Sequence, residues 1–258
     1  MKRIVAAILL IMLAPAVSLY AQTNQDAAVE LIVSAAISLK DALEGIKTAY
    51  AQQQPTVRLT FNFGGSGALQ QQIENGAPVD VFLSAGTKQM EALDKKGQLL
   101  PGTKHDLLTN HLVLIVPLAS QNVNGFADLT KDSVKRIAVG EPKSVPAGQY
   151  TQETLIAFEL LDKLKPKLVY ASDVRQVLTF VETGDADAGF VYYTDARTSK
   201  KAKIIVAAPD SLHSPIVYPV AIIQSTRHPD QAKAFLEFLS SAEARGVFAA
   251  YKFPMFGN

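Results

Sequence analysis

The chain has 258 residues, 48% of them hydrophobic and 19% charged, with a formal net charge of +1 and no cysteine. This is globular composition with enough material for a large core. It excludes disulfide staples, cysteine metal ligands and thiol catalysis, and near-neutral charge gives no general electrostatic reason to bind nucleic acid or anionic lipid.

The opening "MKRIVAAILLIMLAPAVSLYAQ" places Lys2 and Arg3 before an apolar run from Ile4 to Ala14, then a small-residue region ending at Ala21. A charged start, an apolar stretch and a small residue at the cut describe a secretory signal peptide over residues 1–21. The run is shorter than the ~20 residues of a spanning helix, and Pro15 interrupts it. The mature protein is expected to be exported, with cleavage near Ala21. No cysteine is available for a lipid anchor. Loss of Lys2 and Arg3 takes the formal charge from +1 to −1.

From residue 29 strand and helix signals alternate. "VELIVSA" reads as a buried strand. Leu39, Ala42, Leu43, Ile46, Ala49 and Tyr50 then follow helical spacing. "TVRLTFNF" alternates Val57, Leu59, Phe61 and Phe63, a strand period. "GALQQQIENG" is a helix closed by Gly76, "PVDVFLSA" a strand, and "TKQMEALDKKG" a helix ending at Gly97. Strands "HLVLIVP" and "RIAVG" precede a helix "TQETLIAFELLDKL". Strand "KLVYA", helix "DVRQVLTFVETG" and strands "AGFVYY", "KIIVAA" and "PIVYPVAII" come next, and the chain closes on helices "DQAKAFLEFL" and "SAEARGVFAAY". This alternation predicts an α/β protein with largely parallel sheet.

Ligands of open α/β sheets gather where strands end and helices begin. Those turns are rich in small and hydroxyl residues. "AAISLKDAL" puts Ser38 at a helix start, with Asp41 spaced as in a capping box. "FGGSGAL" puts Ser66 there, "EPKSVPAGQY" puts Ala147 and Gly148 there, and "SDVRQVL" puts Ser172, Asp173 and Val174 there. "AGFVYY" delivers Tyr192 and Tyr193 to the same kind of end. Each turn taken alone fits simple capping. As a set they offer free N–H groups and positive helix ends, which suit an anion without any lysine or arginine.

"GGSGA" between strand and helix also resembles a nucleophile elbow, with Ala68 in place of the usual last glycine. A serine hydrolase built on Ser66 would need a histidine in reach, and Asp187 with His213 or His228 follows in a suitable order. His105 and His111 complete the histidines. No HExxH, P-loop or dinucleotide fingerprint is present, and no metal-ligand spacing.

"AAISLKDAL", "FGGSGALQQQIENGAPVDVFLSA", "AVGEPKSVPAGQY", "DVRQVL" and "AGFVYYTDA" occur in that order. Together they resemble the periplasmic molybdate-binding proteins of molybdate ABC importers, over about Val29 to Phe253. The resemblance implies the type II solute-binding fold: two α/β lobes, each a mostly parallel sheet flanked by helices, with the ligand cleft between them. "HLVLIVP" and "VYPVAII" would cross between lobes. Lobe 1 would span residues 27–110 plus 219–258, and lobe 2 residues 111–218. The family's oxyanion contacts fall on Ser38 and Ser66, through N–H and hydroxyl, on the N–H groups of Ala147 and Val174, and on the Tyr192 phenol. Molybdenum would be held only as the oxyanion, through these five residues. Where many members carry a serine-rich turn, this chain has Gly64, Gly65 and Gly67 around Ser66. The resemblance also implies a membrane permease and an ATPase as partners, no cofactor, no catalysis and a monomer.

The chemistry agrees. Molybdate at neutral pH only accepts hydrogen bonds, so its site should donate and hold no carboxylate. None of the five positions is acidic. Asp173 is expected to cap its own helix, and Arg175 to lie along the helix surface rather than serve an amino-acid carboxylate. The absence of tryptophan argues against stacked sugars. Tungstate, nearly the same size, should bind comparably. Sulfate, another deprotonated dianion, is the nearest alternative ligand.

Overall fold

The structure, a computed structural model, describes residues 28–257. The expected signal peptide, residues 1–21, lies outside the described residues. In chain order the first sheet receives β1 (Val29–Ala36), β2 (Val57–Gly64), β3 (Val81–Leu83) and β4 (His105–Thr109). The second receives β5 (Leu112–Pro117), β6 (Ile137–Gly140), β7 (Leu168–Ala171), β8 (Ala188–Tyr192) and β9 (Ala202–Ala207). The chain then returns to the first sheet with β10 (Val217–Ile222). The orders are β2-β1-β3-β10-β4 and β7-β6-β8-β5-β9.

β1 pairs parallel with β2 and β3, and β10 runs antiparallel to β3 and β4. β6 pairs parallel with β7 and β8, and β5 runs antiparallel to β8 and β9. So four strands of each sheet share a direction and one, β10 or β5, opposes them. The chain passes between sheets at Asn110–His111 and again over residues 208–216. The passages run side by side: Asn110 donates its N–H to Ile216 O and Ala208 donates to Leu112 O at 2.8 Å.

Nine helices cover the sheets among the described residues: α1 (Lys40–Gln53), α2 (Ser66–Glu74), α3 (Thr87–Lys95), α4 (Pro146–Ala157), α5 (Leu161–Leu164), α6 (Val174–Thr183), α7 (Tyr193–Ala196), α8 (Pro229–Leu239) and α9 (Ala242–Ala250). The strand pleat explains why both faces are covered. Val81 and Leu83 of β3 join the core with Leu43 and Ile46 of α1 and Phe235 of α8, while Phe82 between them packs with Leu69 and Met90 of α2 and α3. α4 and α6 cover the second sheet over β6 and β8. The final helices return to the first sheet: α8 packs on β1 and β10, and α9 on α1.

Three local readings change. The helix expected over residues 151–164 is two. α4 begins earlier, at Pro146, because proline suits the first helical position. It stops at Ala157, since Glu159 takes φ of 56°, a left-handed conformation that no helix continues through. The edge strand β4, "HDLLT", gave no clear period in the sequence; it forms because β10 offers it a partner. The strand expected over "PVDVFLSA" shortens to Val81–Leu83.

Candidate functional site

A small, tightly walled cavity lies where the loop ends of the two sheets meet. Ser38, Ser66, Ala147, Val174 and Tyr192, the five residues expected at the site, all line it. Each is at most 3% exposed. The remaining walls include Gly64, Gly65, Ala85 and Val145, and no charged side chain lines it.

The local chemistry of each position follows from its element. Ser66 and Val174 are the first residues of α2 and α6, and Ala147 is the second of α4. The first backbone bonds of those helices are donated further on, by Leu69, Val177 and Gln149. The N–H groups of Ser66, Ala147 and Val174 therefore precede the hydrogen-bonded ladder and are free to donate outward. Three positive helix ends converge on one cavity. Asp173 caps α6 as expected, accepting the Gln176 N–H at 2.9 Å.

Neither serine caps a helix. Ser38 lies in a 3-10 turn, Ile37–Leu39, between β1 and α1, and no side chain caps α1 or α2. The Ser66 hydroxyl accepts the Ala85 N–H at 2.9 Å. That occupies a lone pair and leaves its proton to donate. The Ser38 hydroxyl sits 3.1 Å from the Tyr218 phenol. Tyr192, at the end of β8, points its phenol across the cavity to Ala85 O at 3.3 Å. Complete burial pushes both phenols well above the usual tyrosine range, with neighbouring phenols and the Asp195 carboxylate adding to it. Both stay protonated donors.

Two of the glycines of "GGSGA" are required by backbone that approaches from the opposing sheet's loops. A Cβ on Gly65 would come 2.7 Å from Ser172 O, and one on Gly67 2.4 Å from Ser144 O. Gly67 donates its N–H to Ser144 O at 2.9 Å. Both glycines thus admit the backbone of the opposing sheet's loops.

Arg175 does not lie along the helix surface. Its Nη2 pairs across the cleft with Asp41 Oδ2 at 2.8 Å, and its Nε reaches Asp195 Oδ1 at 2.5 Å. Asp195 is fully buried, and burial pushes its pKa up to about 6 against the lowering effect of Arg175. Asp41 and Arg175 line a neighbouring cavity of about 170 Å³, with Arg197 and Lys252, and Ser38 forms the wall between the two.

No histidine serves Ser66. His105 bonds Thr103 O, His111 faces Asp210, and His213 bonds Ser214 O. His228 precedes α8 as its N-cap residue. Asp187 instead accepts the backbone N–H groups of Lys135 and Arg136. Among the described residues no group of three His, Asp or Glu side chains could hold a metal ion. Sequence reasoning missed Ala85, Asn110 and Tyr218. Ala85 follows a strand and precedes a helix, so the strand-end rule could have found it; Asn110 lies on a crossing segment and Tyr218 at the start of β10, and neither carries a local signal.

A family model described as bacterial extracellular solute-binding protein matches residues 31–253. The chain is 44% identical to YvgL of Bacillus subtilis (strain 168), provisionally named an ABC transporter substrate-binding lipoprotein, over 90% of this chain and 88% of that one. It is 39% identical to the molybdate-binding protein ModA of Haemophilus influenzae, over 88% of this chain and 91% of that one. The solved periplasmic molybdate-binding protein of Azotobacter vinelandii superposes with a TM-score of 0.78 at 29% identity, covering 86% of this chain and 98% of that one. With its two α/β sheets meeting at a buried cavity of helix N-termini, the chain belongs to the bacterial extracellular solute-binding protein family.

Proposed function

We propose that the protein is an exported receptor that captures molybdate, and tungstate comparably, and delivers it to an ABC importer. The observation that carries this reading is a buried cavity walled by three helix N-termini, two serine hydroxyls and a phenol, with no charged side chain lining it. Such a wall offers donors and no negative charge. A fully deprotonated tetrahedral dianion only accepts, so the two match without a counterion. Relatives named as molybdate-binding proteins support the choice of anion.

Ser38 and Ser66 supply N–H and hydroxyl donors, Ala147 and Val174 supply N–H groups, and Tyr192 supplies its phenol by turning its proton from Ala85 O to the ligand. We assign residues 27–110 plus 217–258 to one lobe and 111–216 to the other; the expected boundary at 218 moves to Val217 because β10 begins there within the first sheet. The ligand then meets donors from both, which favours the closed arrangement over the open one by its differential contacts. Capture is binding without turnover and needs no cofactor. The closed receptor, a monomer, docks on the importer's permease, whose ATPase drives uptake. An exported location follows from the leader-like residues 1–21.

Discrimination against sulfate rests on size. Sulfur–oxygen bonds are shorter, so sulfate leaves some donors stretched, and an unmade hydrogen bond at a buried donor costs about 1–3 kcal/mol. Calorimetry of the mature protein with molybdate, tungstate, sulfate and phosphate tests the reading. Tight molybdate and tungstate binding with weak sulfate binding is expected. Tight sulfate binding without molybdate heat would replace molybdate by sulfate. Labelling of Ser66 by an active-site serine probe would instead support a hydrolase.

A further inference from the structure

Asn110 lies on the passage from β4 to β5, 5% exposed, and does not line the cavity. Its amide is nonetheless fully engaged. Oδ1 accepts the His111 N–H at 2.9 Å. That fixes which end of the amide is oxygen, because the reverse placement would face two donors at each other. Nδ2 must then be the donor to Thr194 Oγ1 at 2.9 Å and to the Tyr218 phenol at 3.2 Å. Tyr218, 1% exposed, has one further partner, Ser38 Oγ at 3.1 Å. An amide N–H can only donate, so the phenol proton goes to Ser38. The Ser38 proton is then left for the cavity that Ser38 lines.

We infer that Asn110 is a positioning residue that acts through Tyr218 to hold the Ser38 hydroxyl as a donor, and so tunes the site to deprotonated oxyanions. The inference deepens the oxyanion-receptor reading and rests on it. The relay reaches the site from the segment joining the two sheets, and the second N–H of the same amide bonds Thr194, two residues after Tyr192. One buried side chain therefore references donors on both sides of the cavity. Ser66 reaches the same state locally, because the Ala85 N–H occupies its lone pair.

The test is a double-mutant cycle read by calorimetry with sodium molybdate. Asn110→Asp is near-isosteric but accepts where asparagine donates. The Tyr218 proton turns to the new carboxylate, Ser38 donates to Tyr218, and only its lone pairs face the anion. Asn110→Asp is expected to weaken binding at least tenfold more in the wild-type background than in Ser38→Ala. The added negative charge repels the ligand in both backgrounds and cancels in the comparison. Equal losses in both backgrounds would overturn the inference. Tyr218→Phe gives an independent arm should Asn110→Asp fail to fold: a several-fold loss beside Ser38 and no further loss beside Ala at 38 is expected, and equal losses again overturn it. A wild-type protein without molybdate heat would sink the molybdate reading alone, and the cycle would then be run with whichever oxyanion of the panel binds.

Discussion

At the scale of single residues, donors here are made by their neighbours. The Ser66 hydroxyl becomes one because Ala85 donates to it. Ser66→Ala removes that hydroxyl and keeps the backbone N–H. A hydrogen bond to a charged group is worth roughly 1.5–3 kcal/mol, so the molybdate dissociation constant should rise about ten- to a hundredfold. An unchanged constant in titration calorimetry would remove Ser66 from the site. The same substitution strips the Ala85 N–H of its buried acceptor, so the ligand-free protein should also lose about 1–3 kcal/mol of stability in a denaturant titration. A hydroxyl that merely lined the wall would affect neither.

At the scale of elements, three helices begin at one cavity, and the loops before them interlock. Gly67 shows how tightly. Its N–H bonds Ser144 O, and a Cβ there would stand 2.4 Å from that same oxygen. The contact exists only when the loops of the two sheets are together. Gly67→Ala should therefore weaken molybdate binding at least tenfold, through the closed arrangement rather than through any lost donor. The ligand-free melting temperature should hold within a few degrees, since helix α2 itself gains by the change. A large fall in that temperature with unchanged affinity would contradict this account. Gly65 and Gly67 thus explain a turn that reads, alone, as a capped helix start or a nucleophile elbow.

At the scale of the whole molecule, charge is kept out of the ligand cavity but not out of the cleft. Arg175 links Asp41, on the first sheet's α1, to the buried Asp195 beside the second sheet. Burial raises the Asp195 pKa from 3.8 to about 6; Arg175 opposes the shift, and Asp41 and Asp173 add to it. A folded pKa above the unfolded one means that the native state binds the extra proton. The stabilisation this provides is full below about pH 4 and lost as pH rises through about 6. A shift of roughly two units corresponds to about 3 kcal/mol. The stability of the wild type relative to Asp195→Asn should therefore fall by about that amount between pH 4 and pH 7.5. Denaturant titrations of both proteins across that range measure it, and a difference flat with pH would rule out the buried carboxylate as the titrating group.

What the amino-acid sequence determined by itself was the periodic and the local. Hydrophobic period gave most strands and helices, and Gly76, Gly97 and Gly184, all at positive φ, marked helix ends. Asp173 was legible as a cap because a cap acts within three residues of its own position. The five wall residues were legible as hydroxyl and small positions at strand-to-helix turns, joined into a set by family resemblance. The tertiary structure decided what sequence distance hides. Ser38 meets Tyr218 across 180 positions, and Arg175 meets Asp41 across 134. Gly65 and Gly67 answer to Ser172 and Ser144. The edge strand β4 needed β10, more than a hundred residues away, before it became a strand. A donor's direction, a glycine's necessity and a buried carboxylate's proton are all set by the atom on the other side of the cleft, and only the folded chain brings that atom within reach.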